Sequence, residues 1–238
     1  MNIMKEFENE FGLNWENIYH CREDIRQLFF AEKSLIGNSE KFIQELKLEL
    51  KKDIENDETL NKESEGEYAE HEKAQCYYYY YHPREIGISQ LIQNHRKGAI
   101  LSIYSLIEGQ LKNICTQIQK EFEFKIKLND LNGNDYINKY WIFLTKVFCI
   151  ETSNIEKYYT PIKQRKYIRN KIAHNNSIID ENRFEFVNQL EGIKLNQEGN
   201  NKIIEINDYV FIENLILMSQ DFFENLILTI NKKYSELK

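Results

Sequence analysis

The sequence is poor in the residues that make chain reversals, with two Pro and nine Gly in 238 residues. A β-sandwich or β-barrel uses such residues in its many tight turns, so the composition argues against both architectures. The chain also lacks a long uninterrupted apolar run. Its most apolar stretch, residues 210–230, contains Glu213, Asp221 and Glu224. That interruption predicts an amphipathic helix and no membrane span.

Paired cysteines and excess positive charge are also missing. The four Cys residues are far apart and form no CxxC pair, which argues against structural zinc and for reduced thiols in a cytoplasm. A net charge of −7 argues against a protein that grips nucleic acid over its whole surface. The first twelve residues are acidic and have no apolar signal core. We therefore expect a cytoplasmic protein without a membrane anchor.

Apolar residues at helical spacing are abundant, in a chain that is 42% hydrophobic. Steps of three and four predict a long bundle helix over about residues 84–122. Its apolar series is Ile100, Ile103, Ile107, Leu111, Ile114 and Ile118. Similar patterns predict helices over about residues 15–30 and 134–150. Another is predicted after Ser34, with Ser34 or Ser39 as its cap.

The remaining elements are indicated by capping residues and by a change in the spacing of apolar residues from a helical to an alternating pattern. Thr160 followed by Pro161 predicts a helix start, and Asn175–Asn176 predicts the end of that helix. Two short strands around a Gly-Asn-Asn loop, within residues 192–207, predict a β-hairpin. Asp208 then caps a last amphipathic helix. We therefore predict an all-α fold, mainly a helical bundle, with one small β-hairpin before the C-terminal helix.

Composition divides the chain near residue 83. Residues 1–83 are predicted to form an N-terminal helical extension, and residues 84–238 the main bundle. The extension contains an acidic stretch over about residues 54–67, which is predicted to be a mobile connector or an exposed helix end. Five consecutive tyrosines, Tyr77–Tyr81, precede the boundary. They fit either core packing with an exposed aromatic edge or a platform on which nucleobases stack.

Motifs for metals and cofactors are missing. Glu67, Glu70 and His71 would need a second Glu-x-x-His helix to form a di-metal bundle, and the chain has none. Neither a Gly-rich phosphate loop nor a GxSxG elbow occurs. We therefore expect no metal and no cofactor. The run Asn94–Lys97 is either an extension of an RNA-binding groove or a plain exposed helix turn.

Positive charge is concentrated in one segment, KQRKYIRNKIAHNN, which starts at residue 163. It carries five cations and no acid: Lys163, Arg165, Lys166, Arg169 and Lys171. In a chain of negative net charge, such a segment suits a phosphate ligand. The alternative is a solvated basic helix face that pairs with acids elsewhere in the fold.

Arg169 and His174 in this segment are suited to phosphodiester cleavage. A histidine can move a proton to or from the reacting hydroxyls, and an arginine can stabilise charge that develops on the phosphate oxygens. On an ideal helix, residues five apart point about 140° away from each other. The two side chains therefore converge only if the helix ends at His174 or if two copies of the segment meet.

The order Arg169-Asn170-x-x-x-His174 resembles the signature of the HEPN superfamily (higher eukaryotes and prokaryotes nucleotide-binding). Ser105-x-x-Glu108 on the preceding helix, the hairpin and the last helix agree with it, so the resemblance covers about residues 84–238. It implies that the chain, like many members, is a metal-independent endoribonuclease that acts as a dimer. Those members belong to toxin–antitoxin or abortive-infection antiviral systems, and others only bind nucleotides or partners.

The resemblance implies that Arg169 and His174 are catalytic and that Asn170 helps hold the site. Glu108 is either a direct participant or a carboxylate that orients Arg169 or pairs with Lys171. From their charge we add three supporting contacts to the substrate, namely Arg165, Lys166 and Lys171. Asn176 stands where one subgroup has a tyrosine that a partner nucleotidyltransferase modifies, which argues against membership of that subgroup.

Three functions stay open at this point. The first is a homodimeric ribonuclease that cleaves tRNA, mRNA or phage RNA to 2′,3′-cyclic phosphate ends, under the control of an antitoxin or regulatory protein. The second is a non-catalytic HEPN-like module that binds RNA, a nucleotide or a protein. The third is a structural interaction protein, in which Arg169 forms an ion pair and faces away from His174.

Overall fold

The computed structural model describes residues 15–62 and 66–237, with side chains in the first helix from Cys21 onward. It confirms the predicted class, a mainly helical fold with one antiparallel hairpin before the last helix. The helices are α1 (Trp15–Asn56), α2 (Glu67–Cys76), α3 (His82–Glu121), α4 (Tyr136–Ile142), α5 (Glu156–His174), α6 (Phe184–Asn188) and α7 (Val210–Leu237). The strands are β1 (Ile193–Glu198) and β2 (Asn201–Ile206). Among the described residues, no helix has both the length and the apolarity needed to cross a membrane.

The chain separates into two compact units. One comprises Ser34–Ala99, and the other combines residues up to Lys33 with residues from Ile100 onward. Both α1 and α3 pass from one unit into the other, so the units have other bounds than the predicted division at residue 83. The candidate site residues, from Glu108 to His174, all belong to the larger unit.

The core of the larger unit follows the predicted series on α3. Ile100, Ile103, Ile107 and Leu111 have no exposed surface. α5 and α7 pack on each other, and Tyr159 of α5 lies 6.0 Å from Phe222 of α7 between ring centroids. This burial of apolar surface fixes α5, the helix with the basic segment, on the bundle.

The hairpin and the start of α7 match the prediction. β1 and β2 pair from Ile193 with Ile206 onward, and Gly199 takes a left-handed conformation in the turn. Gly192 precedes β1 with φ +80°, and a Cβ there would lie 2.8 Å from the backbone nitrogen of Phe211. A larger residue is therefore excluded. The Asp208 carboxylate accepts the Val210 N–H at 3.0 Å and so caps α7.

The predicted helix start at Ser34 or Ser39 is wrong, because α1 is continuous through both residues. The Ser39 hydroxyl donates to the Leu35 carbonyl four residues earlier, at 3.0 Å, instead of capping a new helix. The buried stripe also continues through Ile36 and Ile43. Burial on one face outweighs the capping tendency of the two serines.

The tyrosine run forms a π-helical turn, Tyr77–Tyr81, between α2 and α3. The N–H of His82 donates to the Tyr77 carbonyl, a bond that spans five residues. The turn is followed by His82 and then by Pro83, which has no N–H to donate. Tyr81 is buried and its hydroxyl donates to Asp57 at 2.7 Å, whereas Tyr78, Tyr79 and Tyr80 are exposed. The aromatic edge predicted at this position is therefore present.

The acidic connector is shorter than predicted, because α1 extends to Asn56 and α2 begins at Glu67. The Asp57 carboxylate accepts the N–H groups of Thr59 and Leu60, at 2.8 and 3.0 Å, and so forms a turn directly after α1. Residues 63–65 of the predicted connector lie outside the described residues.

In the unit Ser34–Ala99, a buried ion pair joins α1 to α3. The guanidinium of Arg96 donates to both carboxylate oxygens of Glu40, at 2.8 and 2.9 Å. The residues are only 6% and 8% exposed. Neither interpretation of the run Asn94–Lys97, an RNA-binding groove or an exposed helix turn, therefore holds for its third residue, Arg96. Arg96 contributes to the packing of this unit.

Replacement of Arg96 by Met is expected to destabilise this unit by about 3–5 kcal/mol, because the Glu40 carboxylate stays buried without its counterion. Arg84→Met is the matched control. It removes an ion pair with Asp53 in which both side chains are more than 40% exposed, and such pairs contribute about 1 kcal/mol or less. Hydrogen exchange of the amides in residues 34–56 measures both effects. Equal protection in the two variants would contradict this role of Arg96.

Candidate functional site

α5 carries the basic segment, and it begins earlier than predicted. Its first residue is Glu156, so the start predicted at Thr160–Pro161 is wrong and Pro161 lies inside the helix. The additional turn is stabilised by packing, because Ile155 and Tyr159 are buried. The Tyr159 ring stacks on Trp141 at 3.9 Å, nearly parallel to it. An aromatic contact with α4 thus sets the start of the helix that carries Arg169.

The C-terminal end of α5 is where the sequence predicts it. His174 is the last helical residue, and the N–H groups of Asn175 and Ser177 both donate to the Lys171 carbonyl, at 3.1 and 2.9 Å. Asn176 and Ser177 have positive φ angles of 47° and 67°, which reverse the chain. The His174 side chain is exposed at this end.

Lys171 is held by the segment that follows the reversal. Its ammonium lies 2.9 Å from Asp180, and the Tyr167 hydroxyl donates to the same carboxylate at 3.0 Å. These two hydrogen bonds, that of Lys171 first, lower the pKa of Asp180. The Tyr167 hydroxyl also accepts the Asp180 N–H at 2.9 Å. The cluster ties the chain after His174 back onto α5, so Lys171 has a structural partner.

Lys166 also has structural partners. It is 7% exposed, it donates a hydrogen bond to Asp135, and its ammonium lies 3.9 Å from Glu108. Asp135 in addition accepts the Asn138 N–H at 3.0 Å and caps α4. Burial opposes ionisation of Asp135, but the hydrogen bonds from Lys166 and Asn138 leave its pKa lowered.

These contacts define the environment of Glu108. It forms its ion pair with Lys166, whereas neither Arg169 nor Lys171 is within ion-pair distance of its carboxylate. The predicted orientation of Arg169 by Glu108, or pairing with Lys171, is therefore not observed. Glu108 and Lys166 together connect α3 to α5.

Arg169 is different from the two lysines. The half-buried guanidinium donates from Nη1 to the Asn170 side-chain oxygen at 3.2 Å. Its Nε is buried and has no hydrogen-bond partner in the described part of the chain. Asn170 lies four residues before His174, so the two share a face of α5. The hydrogen bond thus draws the Arg169 guanidinium toward the side of the helix on which His174 lies.

Within one chain, the helix separates the two key side chains. α5 stays helical through His174, so Arg169 and His174 start from directions about 140° apart. Asn170, which accepts the hydrogen bond from Arg169, lies on the same face as His174. The sequence indicates two conditions under which the Arg169 and His174 side chains can converge. The first, a helix that ends at His174, is met. The second, a meeting of two copies of the segment, requires an assembly of two chains.

Sequence reasoning missed two residues that shape this site. Asp135 could have been found, because an Asp directly before an aromatic helical pattern is a common N-cap. Asp180 could not, because its partners Tyr167 and Lys171 are 13 and 9 residues away and no local pattern connects them. For metals, the described residues contain no group of three or more His, Cys, Asp or Glu side chains suited to holding an ion.

Comparison with protein-family models, with curated proteins and with solved structures finds no match to this chain. The contacts of α5 and the residue pattern from Arg169 to His174 are therefore the features of this chain that bear on its function.

Proposed function

We propose that this protein is a metal-independent endoribonuclease of the HEPN type, a toxin or antiviral effector that acts as a homodimer on cellular RNA such as tRNA. The observation that carries the proposal is the contrast among the cations of α5. Lys166 and Lys171 are neutralised by carboxylates, whereas Arg169 donates to the neutral side chain of Asn170 and has no carboxylate within ion-pair distance in the described part of the chain. A guanidinium with unused donors next to a terminal histidine suits a phosphate substrate.

The reaction assigned to these groups is transesterification within the RNA strand. The His174 imidazole accepts the proton of the 2′-hydroxyl, whose oxygen attacks the adjacent phosphorus. The bond from phosphorus to the 5′-oxygen breaks, and that oxygen receives a proton from His174 of the partner subunit. Arg169 donates hydrogen bonds to the phosphate oxygens as their charge increases. The products are a 2′,3′-cyclic phosphate and a 5′-hydroxyl.

The geometry of α5 is the reason why this mechanism uses a dimer. One helix directs Arg169 and His174 toward different sides, and two imidazoles in different protonation states are used in one reaction. A second copy of α5 supplies the second imidazole. Among the described residues no hydrogen bond orients His174, which supports a site completed by another chain or by RNA.

The lack of an orienting hydrogen bond to His174 in the described part of the chain favours one other function, a module that binds RNA without cleaving it. Catalytic histidines usually have a partner that fixes their tautomer and orientation. His174 is exposed and has none in the described part of one chain. Tight RNA binding with no cleavage of any RNA tested would identify this second function.

Expression in a bacterium tests the proposed function in cells. We expect the wild-type chain to arrest growth and to produce RNA fragments with 5′-hydroxyl ends. His174→Ala is expected to accumulate to the same level without growth arrest, because no proton transfer to or from the ribose and leaving oxygens takes place. Equal arrest by both proteins would contradict catalysis by His174.

A further inference from the structure

Two arginines of α5 remain without a charged partner. Lys166 and Lys171 pair with Asp135 and Asp180, but neither Arg165 nor Arg169 has a carboxylate within ion-pair distance in the described part of the chain. The unbalanced charge of the basic segment is therefore concentrated on these two guanidiniums and on the exposed Lys163.

Arg165 and Arg169 lie on the same face of α5. They are four residues apart, which corresponds to about 40° around the helix and about 6 Å along it. Both charges act on Tyr104 of α3, a buried residue whose hydroxyl donates to the Ile162 carbonyl at 2.7 Å. The two guanidinium charges thus both act to lower the pKa of the same phenol.

Tyr104 cannot act as the missing counterion. Burial raises its pKa, and this effect exceeds the opposite effect of the two arginine charges. The phenol is therefore neutral, and its proton is used in the bond to Ile162. It therefore does not neutralise the two arginines.

Both guanidiniums are partly removed from water. Arg165 and Arg169 are half-buried, and burial lowers the pKa of Arg165. The Nε of Arg169 is buried without a hydrogen-bond partner. Partly desolvated donors with unused hydrogen bonds favour an anionic ligand, and guanidinium groups match the spacing of phosphate oxygens.

We propose that Arg165 and Arg169 together bind one phosphodiester group of single-stranded RNA, and that Lys166 and Lys171 do not contact RNA. The inference deepens the proposed function and depends on it for the choice of RNA as the ligand. Because both donors bind phosphate oxygens, the pair contributes affinity without reading the base sequence.

Fluorescence anisotropy with a labelled 12-nucleotide RNA that carries a 5′-hydroxyl tests this site. All variants are made in a His174→Ala background with EDTA, so that the RNA stays intact. Arg165→Gln is expected to weaken binding by about tenfold or more, because a charge-assisted contact is lost. The slope of log K against log salt is expected to fall by about one.

Lys163→Gln is the matched control, because it removes an exposed cation from the same helix and is expected to weaken binding by less than about threefold. Arg165→Lys keeps the charge and is expected to fall between the wild-type side chain and Arg165→Gln. Circular dichroism and thermal unfolding report whether each variant is folded. Equal losses for Arg165→Gln and Lys163→Gln would overturn the paired site and indicate a diffuse electrostatic field.

Two further measurements test whether both arginines bind the same phosphate and whether that phosphate is a phosphodiester. If both arginines bind one phosphate, the Arg165→Gln/Arg169→Gln double variant loses less affinity than the product of the two single losses. A 5′-phosphorylated RNA is expected to bind like the 5′-hydroxyl RNA, and preference for the terminal phosphate would overturn the phosphodiester assignment. Cleavage by His174→Ala at the wild-type rate would refute the ribonuclease mechanism, whereas the binding arms test the paired site separately.

Discussion

His174→Ala is expected to lower the rate of RNA cleavage by about 10²–10⁴-fold, the usual contribution of a general acid or base. The side chain is exposed at the end of α5, and its removal creates no cavity in the core. We therefore expect unchanged thermal unfolding and circular dichroism. Cleavage of a defined RNA under single-turnover conditions, in EDTA, measures the loss.

His71→Ala is the matched control for this prediction. His71 is another exposed histidine, located on α2 and hydrogen-bonded to Gln75 at 3.0 Å. Its replacement is expected to leave the cleavage rate within about twofold of wild type, since surface substitutions away from a site have small effects. Similar activity of His174→Ala and wild type would contradict a catalytic role for the imidazole.

Arg169→Lys is expected to lower the cleavage rate by about 10²–10³-fold, although the charge is retained. An ammonium cannot donate to Asn170 and to two phosphate oxygens with the planar geometry of a guanidinium. Loss of one preorganised donor to the charged transition state has an effect of this size. The kcat is expected to fall more than KM rises, because the contact strengthens as charge develops on the phosphate.

Arg183→Lys is a suitable comparison, because Arg183 is exposed and lies 5.6 Å above the Tyr167 ring in the same unit. It is expected to keep wild-type kcat. If Arg169→Lys instead raised KM and left kcat unchanged, Arg169 would contribute only to substrate binding.

Much of the fold follows from local patterns in the sequence. The series from Ile100 to Ile118 is a buried stripe, and the change from helical to alternating period marks the hairpin. Asp208 and Asn175 mark helix ends because their side chains or conformations satisfy exposed backbone groups. These signals depend on neighbours within a few residues, so one sequence is sufficient to read them.

The errors occur where packing overrides a local signal. Ser39 and Thr160 look like caps, yet both lie inside helices that bury residues on each side of them. The π-helical turn at Tyr77–Tyr81 is a further difference, because the helical spacing of apolar residues does not show where such a wider turn forms. Burial energy from distant partners decides the two capping errors, and a local pattern does not contain it.

The sequence identifies the cations of the candidate site but does not give their contacts. A count of cations suggests five equivalent ligands for a phosphate. The fold distinguishes them, because Asp135 lies 31 residues from Lys166 in the chain and Asp180 lies 9 residues from Lys171. Arg165 and Arg169 have no carboxylate within ion-pair distance in the described part of the chain, and neither has the exposed Lys163.

The chemistry of the ends that the purified protein leaves on RNA in excess EDTA tests metal-independent transesterification most directly. This mechanism predicts 2′,3′-cyclic phosphate and 5′-hydroxyl ends, formed at the same rate with and without the chelator. Cleavage that leaves 3′-hydroxyl and 5′-phosphate ends, or cleavage that EDTA abolishes, would contradict it.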